Sequence, residues 1–231
     1  GTRKQQEYLQ IILKYCGRYP GRKIKYSNID REIRSTYLKD SIKKLELSRI
    51  IHTVKHSNAS KVPLTEHVKE DVYKTIFMDI GFVNQFNQID LNALEDLITA
   101  NEGILAEQFI AQELLTTYHA YLSPELFYWS REAKSSNAEV DFIIQHKNKI
   151  YPIEVKAGKT GTLKSIQVYL YEKKLKNGIR FNMDLPSIGS FETKINVPNA
   201  TTELSWTLLS LPLYMVSELR RLIDLKFLSL Q

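Results

Sequence analysis

Two apolar-alternating runs, Glu139–Gln145 and Lys149–Val155, are separated by a short polar turn, and this pairing restricts the chain more than any other feature. Runs of this kind predict an antiparallel β-hairpin. With Lys147 and Asn148 at its tip, Asp141 lies directly across from Glu154, and Glu139 across from Lys156. Side chains alternate along a strand, so Asp141, Glu154 and Lys156 are expected on one face. Val140, Phe142, Ile144, Ile153 and Val155 are expected on the other. Opposed carboxylates destabilise a sheet by roughly a few tenths of a kcal/mol or more. A divalent cation held between Asp141 and Glu154 reverses that sign. Lys156 then stands where it can orient, or help deprotonate, a water at the metal. The competing reading is an edge hairpin with its polar face in solvent and Glu139–Lys156 as a surface ion pair. Lys-Asn is a poorer type I′ tip than Asn-Gly. A three-residue loop would place Asp141 and Glu154 on a diagonal, still within bridging range of a metal.

Upstream of the hairpin, Gly103–Tyr118 carries Ile104, Leu105, Phe109, Ile110, Leu114 and Leu115 on a wide apolar helical face, with Glu107 inside it. A glutamate there is by itself more often solvated than functional. Leu126–Ser130 reads as a strand. Its aromatic run Phe127-Tyr128-Trp129 could stack bases, but aromatics in a strand are more often packing.

The first part of the chain reads as a winged helix. Residues 3–16 hold Leu9, Ile12, Leu13 and Cys16 at helical spacing, ended by Gly17 and Pro20. A short helix with Ile29 and Ile33 follows, capped by Ser27 or Asn28. A third, capped by Ser35 or Thr36, carries Leu38, Ile42 and Leu45. Its outer face shows Lys39, Lys43 and Lys44, with Arg49 close behind. Residues Ile50–Lys55 and Lys61–Thr65 then read as two strands of a wing around His56–Ser60. In a winged helix the third helix enters a major groove while cations contact phosphates, which assigns Lys39, Lys43, Lys44 and Arg49 to nucleic acid. A protein-binding winged helix is the alternative. Lys74–Met78 is expected to be a strand turning at Asp79-Ile80-Gly81, with a helix near Leu91–Ile98. The module boundary is placed in 85–100, giving units 1–85 and 86–231.

Charge is also distributed unevenly along the chain. Residues 1–61 hold 15 Lys and Arg against 5 Asp and Glu, net +10, whereas residues 62–231 hold 17 against 21, net −4. Such asymmetry points to a basic module facing a polyanion, or to a merely solvated basic surface. The single cysteine, Cys16, cannot form an internal disulfide, which favours a reducing cytoplasm. It lies on an apolar face, as a core residue does. No run approaches about 18 apolar residues, so a membrane span is not expected. No apolar signal segment precedes the first helix. The five histidines are scattered without ligand spacing, against a zinc site. The N-terminal Gly suggests a fragment of a longer protein.

The order helix with Glu107, strand, Glu139-Val140-Asp141-Phe142, turn, Pro152-Ile153-Glu154-Val155-Lys156 resembles the PD-(D/E)XK nuclease superfamily core. More specifically, GILAEQFIAQELL, FYWSREAKSSNAEVDFII and YPIEVKAG resemble the C-terminal domain of unknown function behind the ATPase module of many bacterial and archaeal AAA-type ATP-binding proteins. The basic segment ending in TIFMDIGFV is similar to the part preceding that core. The likeness covers most of residues 5–180. It implies an α/β (α+β) chain, an N-terminal winged helix followed by a restriction-endonuclease-like mixed sheet. It makes Asp141, Glu154 and the Val155 carbonyl ligands of Mg or Mn. Lys156 becomes the residue handling the attacking water, Glu107 the carboxylate of the first core helix, and Gln167 an extra polar position. A helix at Thr162–Lys174 and a strand at Ile179–Asn182 complete the core. The strand Phe191–Val197 and helix Tyr214–Asp224 match only loosely. Val140 stands where the motif name has proline, which removes no ligand.

No G-x-x-x-x-G-K-[ST] is present, so ATP is expected only in an upstream ATPase domain that this chain lacks. Two functions remain open on the sequence: a metal-dependent DNA endonuclease, or a non-catalytic DNA- or protein-binding module of the ATPase. DNA and the ATPase domain are the expected partners, an oligomer is compatible, and no membrane is implied.

Overall fold

The computed structural model describes residues 2–87, 94–131, 138–158, 162–197 and 200–228, with backbone alone at 94–102, 196–197, 200 and 228. It is an α/β fold around one mixed sheet. Helix α1 (Arg3–Arg18) starts at a capping box, Thr2 accepting from the Gln5 amide while Gln5 accepts from the Thr2 amide. It runs past Gly17, which was expected to end it. A Cβ on Gly17 would lie 2.4 Å from the Phe86 ring, so glycine there serves close packing. Helix α2 (Tyr26–Ile29) and helix α3 (Ser35–Leu47) follow, neither with a side-chain cap bond. Ile12, Cys16, Leu38, Ile42 and Leu45 form an N-terminal core with Ile51, Tyr73 and Phe77. Burial pushes the Cys16 thiol up to about 11, and Thr75 hydrogen-bonds it, as befits a packed cysteine.

Strand β1 (Ile51–Ser57) is where the wing was expected, but Lys61–Thr65 is not its partner. Pro63 interrupts that stretch, and Leu64–His67 is a short 3₁₀ turn. The partner is β2 (Val68–Phe77), antiparallel to β1. Helix α4 (Ile80–Phe86) begins at Asp79, whose carboxylate accepts from the Gly81 amide. Helix α5 (Leu94–Thr116) starts before Gly103 and takes in much of the helix expected near Leu91–Ile98; residues 91–93 of that stretch lie outside the described residues. Then come β3 (Leu126–Ser130), β4 (Glu139–His146), β5 (Lys149–Val155), α6 (Lys164–Lys173) and β6 (Asn177–Asn182). Strand β7 (Ser187–Val197) pairs with β8 (Ala200–Pro212), a long strand that the sequence reading omitted. Its signal was present: Leu204, Trp206 and Leu208 alternate and are buried. The C-terminal helix divides into a 3₁₀ segment, Leu213–Glu218, helix α7 (Leu219–Ile223) and a π-helical turn, Asp224–Leu228.

The sheet order is β2-β1-β3-β4-β5-β6-β8-β7. Strand β1 pairs in parallel with β3, Val54 against Leu126. The would-be wing is therefore the first two strands of the sheet that carries the second half of the chain. Helix α5 and the C-terminal helices cover one face, burying Ile110, Leu114, Leu219 and Ile223 against Tyr128, Phe142, Ile153 and Phe181. Each such side chain contributes about 1.5–3 kcal/mol on burial. Helix α6 covers the other face, with Tyr169 against Trp129 and Ile166 and Leu170 against Trp206. The aromatics Phe127, Tyr128 and Trp129 are all packing residues.

Side-chain bonds fasten α5 to the N-terminal part. Buried Gln108 accepts from the Phe77 amide at 3.0 Å and donates to the Phe77 carbonyl at 2.8 Å. Gln112 accepts from the Ile80 amide at 2.9 Å. Among the described residues no helix is long and apolar enough to cross a membrane.

Candidate functional site

The hairpin forms in the expected register, from His146↔Lys149 at the turn to Phe142↔Ile153. Lys147 and Asn148 take φ 44° and 61°, the left-handed pair that a type I′ tip requires. Beyond Phe142 the ladder stops. The Asp141 carboxylate, through Oδ2, accepts from the Val155 amide at 2.8 Å.

The reason lies on the neighbouring strand. Phe127 pairs with Ile143 and Trp129 with Val140, so Asp141 and Phe142 together oppose Tyr128. This is a β-bulge, which bends a strand and re-aims its side chains. The bulge corrects the expected faces. Phe142, Ile144, Ile153 and Val155 share the core under α5, as expected, but Val140 packs with Ile143 on the α6 side. Glu139 is freed from the expected partner Lys156. Its carboxylate instead binds Lys23 at 2.7 Å and Lys74 at 2.6 Å. Lys156 pairs with Glu154 at 2.6 Å.

Four carboxylates and three ammonium groups thus meet at the open end of the hairpin. Glu107 reaches in from α5, its Oε1 3.4 Å from the Lys74 ammonium. Glu154 is 4% exposed, and its Oε2 is buried without a hydrogen-bond partner. Burial raises the Asp141 pKa well above the carboxylate range, and the charges of Glu107 and Glu154 push it further than Lys74 and the Val155 amide can offset. Glu154 is raised as well, chiefly by burial and against the pull of Lys156. Glu139 goes the other way, since Lys74 and Lys23 outweigh its burial. Burial would lower Lys156, but its contact with Glu154 raises it on balance. In this arrangement Lys156 is a cation rather than a base.

Lys74 was missed by sequence reasoning. It is 3% exposed, and its ammonium sits 4.9 Å from the centre of the Tyr128 ring. Burial alone would lower its pKa, yet Glu107, Glu139 and Asp141 together hold it above the usual lysine range. The signal was a lysine inside the apolar run Tyr73–Phe77. Lys23 was also missed; it lies 5.5 Å from the same ring, beside its β-bridge to Lys74.

Over Glu139 opens a cleft of about 760 Å³, walled by Arg22, Lys23, Lys25 and Arg31 with the rings of Tyr15 and Tyr19. Its floor is close to α5. Gly21, at φ +70°, lies so near Glu107 that a Cβ would sit 3.2 Å from Oε2. The α3 cations are differently placed. Lys39 is paired with Asp71 at 2.5 Å and Lys44 with Asp40 at 2.6 Å, while Lys43 and Arg49 are exposed.

Among the described residues, no group of three or more His, Cys, Asp or Glu could by itself hold a metal ion. The donors on hand are Asp141, Glu154 and the Val155 carbonyl. That set suits an ion of the Mg²⁺ kind, which keeps several waters and takes one or two carboxylates. The unpartnered Glu154 oxygen and the mutual repulsion of Asp141 and Glu154 fit such a guest.

Residues 102–196 match the family model of a domain of unknown function, DUF4143, and residues 1–114 match a second domain of unknown function, DUF8612. The first contains Glu107, Asp141, Glu154 and Lys156; the second contains Lys23 and Lys74. They overlap on α5, the helix that carries Glu107. No curated protein and no solved structure matches the chain.

Proposed function

We propose that this chain is the nuclease-like part of a longer AAA-type ATP-binding protein and hydrolyses phosphodiester bonds of DNA with a divalent metal. The observation that carries the reading is the buried, unpartnered Glu154 oxygen beside an Asp141 destabilised by its own neighbours. Mg or Mn, held by Asp141, Glu154 and the Val155 carbonyl, would polarise the phosphoryl group and acidify a water. Lys156, kept protonated by Glu154, stabilises charge on the phosphoryl oxygens. Glu107 and Glu139 hold Lys74 in place.

The cleft over Glu139 supplies the grip on the nucleic-acid backbone, four cations with two tyrosine rings suited to base stacking. Helix α3 contributes less, because carboxylates already engage Lys39 and Lys44. Neutralising Arg22 and Arg31 together is expected to weaken DNA binding and flatten its salt dependence by about two charges, more than neutralising Lys39 and Lys44 does. Titration of a labelled duplex at several salt concentrations checks this.

The primary test is calorimetry with Mg²⁺ and Mn²⁺ on the native chain and on Asp141→Ala/Glu154→Ala, with the same samples assayed on plasmid and branched DNA. Binding and nicking that both disappear in the double variant support the nuclease. A native chain that takes up neither metal sinks it.

One observation favours a second reading, a non-catalytic module of the ATPase. Lys74 already places a permanent cation among Glu107, Glu139 and Asp141. Under this reading Lys74 replaces the metal, and the nuclease-like sheet is a scaffold for DNA or protein contacts.

A further inference from the structure

A wide cleft lies away from the carboxylates, at the turn end of the hairpin. It has a volume of about 890 Å³ and is lined by Lys61, Lys149, Lys174, Lys176 and Lys226. Among the described residues no Asp or Glu lines it, although the chain has 26 acidic residues. Four of these cations, Lys61, Lys174, Lys176 and Lys226, have no carboxylate partner among the described residues. The nearby Asp224 is already held by His146 at 2.7 Å and Lys147 at 2.8 Å. Tyr151, 1% exposed, also lines the cleft, and its hydroxyl is buried without a hydrogen-bond partner. Val62, Leu175, Ile188 and Phe227 give the cleft an apolar wall.

Ammonium groups lining one cleft repel one another unless an anion joins them. A single inorganic anion would leave the apolar wall unused. Cavities of about 300–1,000 Å³ with an apolar lining and a few directed polar groups are the ordinary form of small-molecule sites. We propose that this cleft binds a nucleoside polyphosphate, the lysines meeting the phosphates, the apolar wall meeting the base, and the Tyr151 hydroxyl supplying one hydrogen bond. The same chemistry, phosphates joined to a flat base, is offered by a free nucleotide or by the end of a nucleic-acid strand. The proposal stands whether or not the carboxylate site is a nuclease.

The test is calorimetry on the full chain in EDTA, so that no divalent ion engages Asp141 and Glu154. ATP, inorganic triphosphate and a short single-stranded oligonucleotide are the probes. ATP is expected to bind more tightly than triphosphate. Lys176→Glu/Lys226→Glu is expected to weaken it by about tenfold or more, since each lost charge-assisted contact removes a factor of this order. Both lysines are exposed, so the thermal midpoint should not move; Lys176→Gln/Lys226→Gln provides a milder pair if it does. Tyr151→Phe should weaken ATP several-fold, and Asp141→Ala/Glu154→Ala should leave it unchanged. Oligonucleotide binding that replaces ATP binding, and is lost in the lysine variants, supports the same cleft with a strand as its source. Absence of binding by ATP and oligonucleotide alike overturns the proposal. So does ATP binding that is insensitive to both lysine pairs.

Discussion

The two ends of the β4–β5 hairpin display opposite charge in opposite ways. At the open end Glu154 is buried and Asp141 half-buried, Lys74 and Lys156 stand beside them, and burial raises both pKa values. At the turn end Lys174 and Lys176 stand toward solvent around a cleft. The strands between are apolar and regular. What differs is solvation: buried charges must find counter-charges from other elements, whereas exposed ones can remain unbalanced. The open end therefore depends on the whole fold, including Lys23 and Lys74 from the N-terminal part, while the turn end depends mostly on local backbone.

The comparison breaks most severely at Lys74. Lys74→Met takes the ion pair from half-buried Glu107 and leaves Glu139 with Lys23 alone, and about 3 kcal/mol of stability should be lost in urea unfolding. An unchanged midpoint would mean that water enters the group freely. Next is Asp141→Asn, which keeps an acceptor for the Val155 amide but removes a repelled charge. In metal-free buffer near neutral pH it should stabilise the chain by roughly 1 kcal/mol. The pH dependence carries the sign. Asp141 and Glu154 bind protons more tightly folded than unfolded, so their stability contribution is complete below about pH 4 and is lost as pH rises through their raised folded values. Glu139 opposes this, contributing above the ordinary carboxylate pKa and losing that contribution as pH falls through its lowered value. Melting curves across this range should slope less in Asp141→Asn than in the native chain. Saturating Mg²⁺ should flatten the native curve too. The smallest effect is expected at the turn. Asn148→Gly suits φ 61° and should stabilise by about 0.5 kcal/mol or less.

Much of the hairpin was readable because its information is local: alternation sets the faces and two turn residues set the register. The spans of β3 and β5 and the apolar face of α3 were readable for the same reason. What escaped depended on distant partners. The bulge at Asp141 arises from pairing with Tyr128, and no spacing within β4 announces it. Lys74 looks like an ordinary polar interruption until Glu107 and Glu139 are brought to it. The charge asymmetry between the two parts was visible, but its meaning was partly internal. Lys23, Lys39 and Lys55 of the basic side pair with Glu139, Asp71 and Glu125 from beyond residue 61. The proposed division at residues 85–100 likewise separates segments that a common sheet and Gln108 hold together.

The parallel pairing of β1 with β3 has a kinetic consequence. Between those strands the chain must lay down β2, α4 and α5, and closing so long an intervening segment is entropically slow compared with forming the β4–β5 turn. The hairpin can nucleate early on local contacts, with its carboxylates still hydrated. Lys74 arrives only when the N-terminal strands dock. Dehydration of Asp141 and Glu154 thus belongs to the last stage of folding, when the ammonium group that offsets it is already at hand.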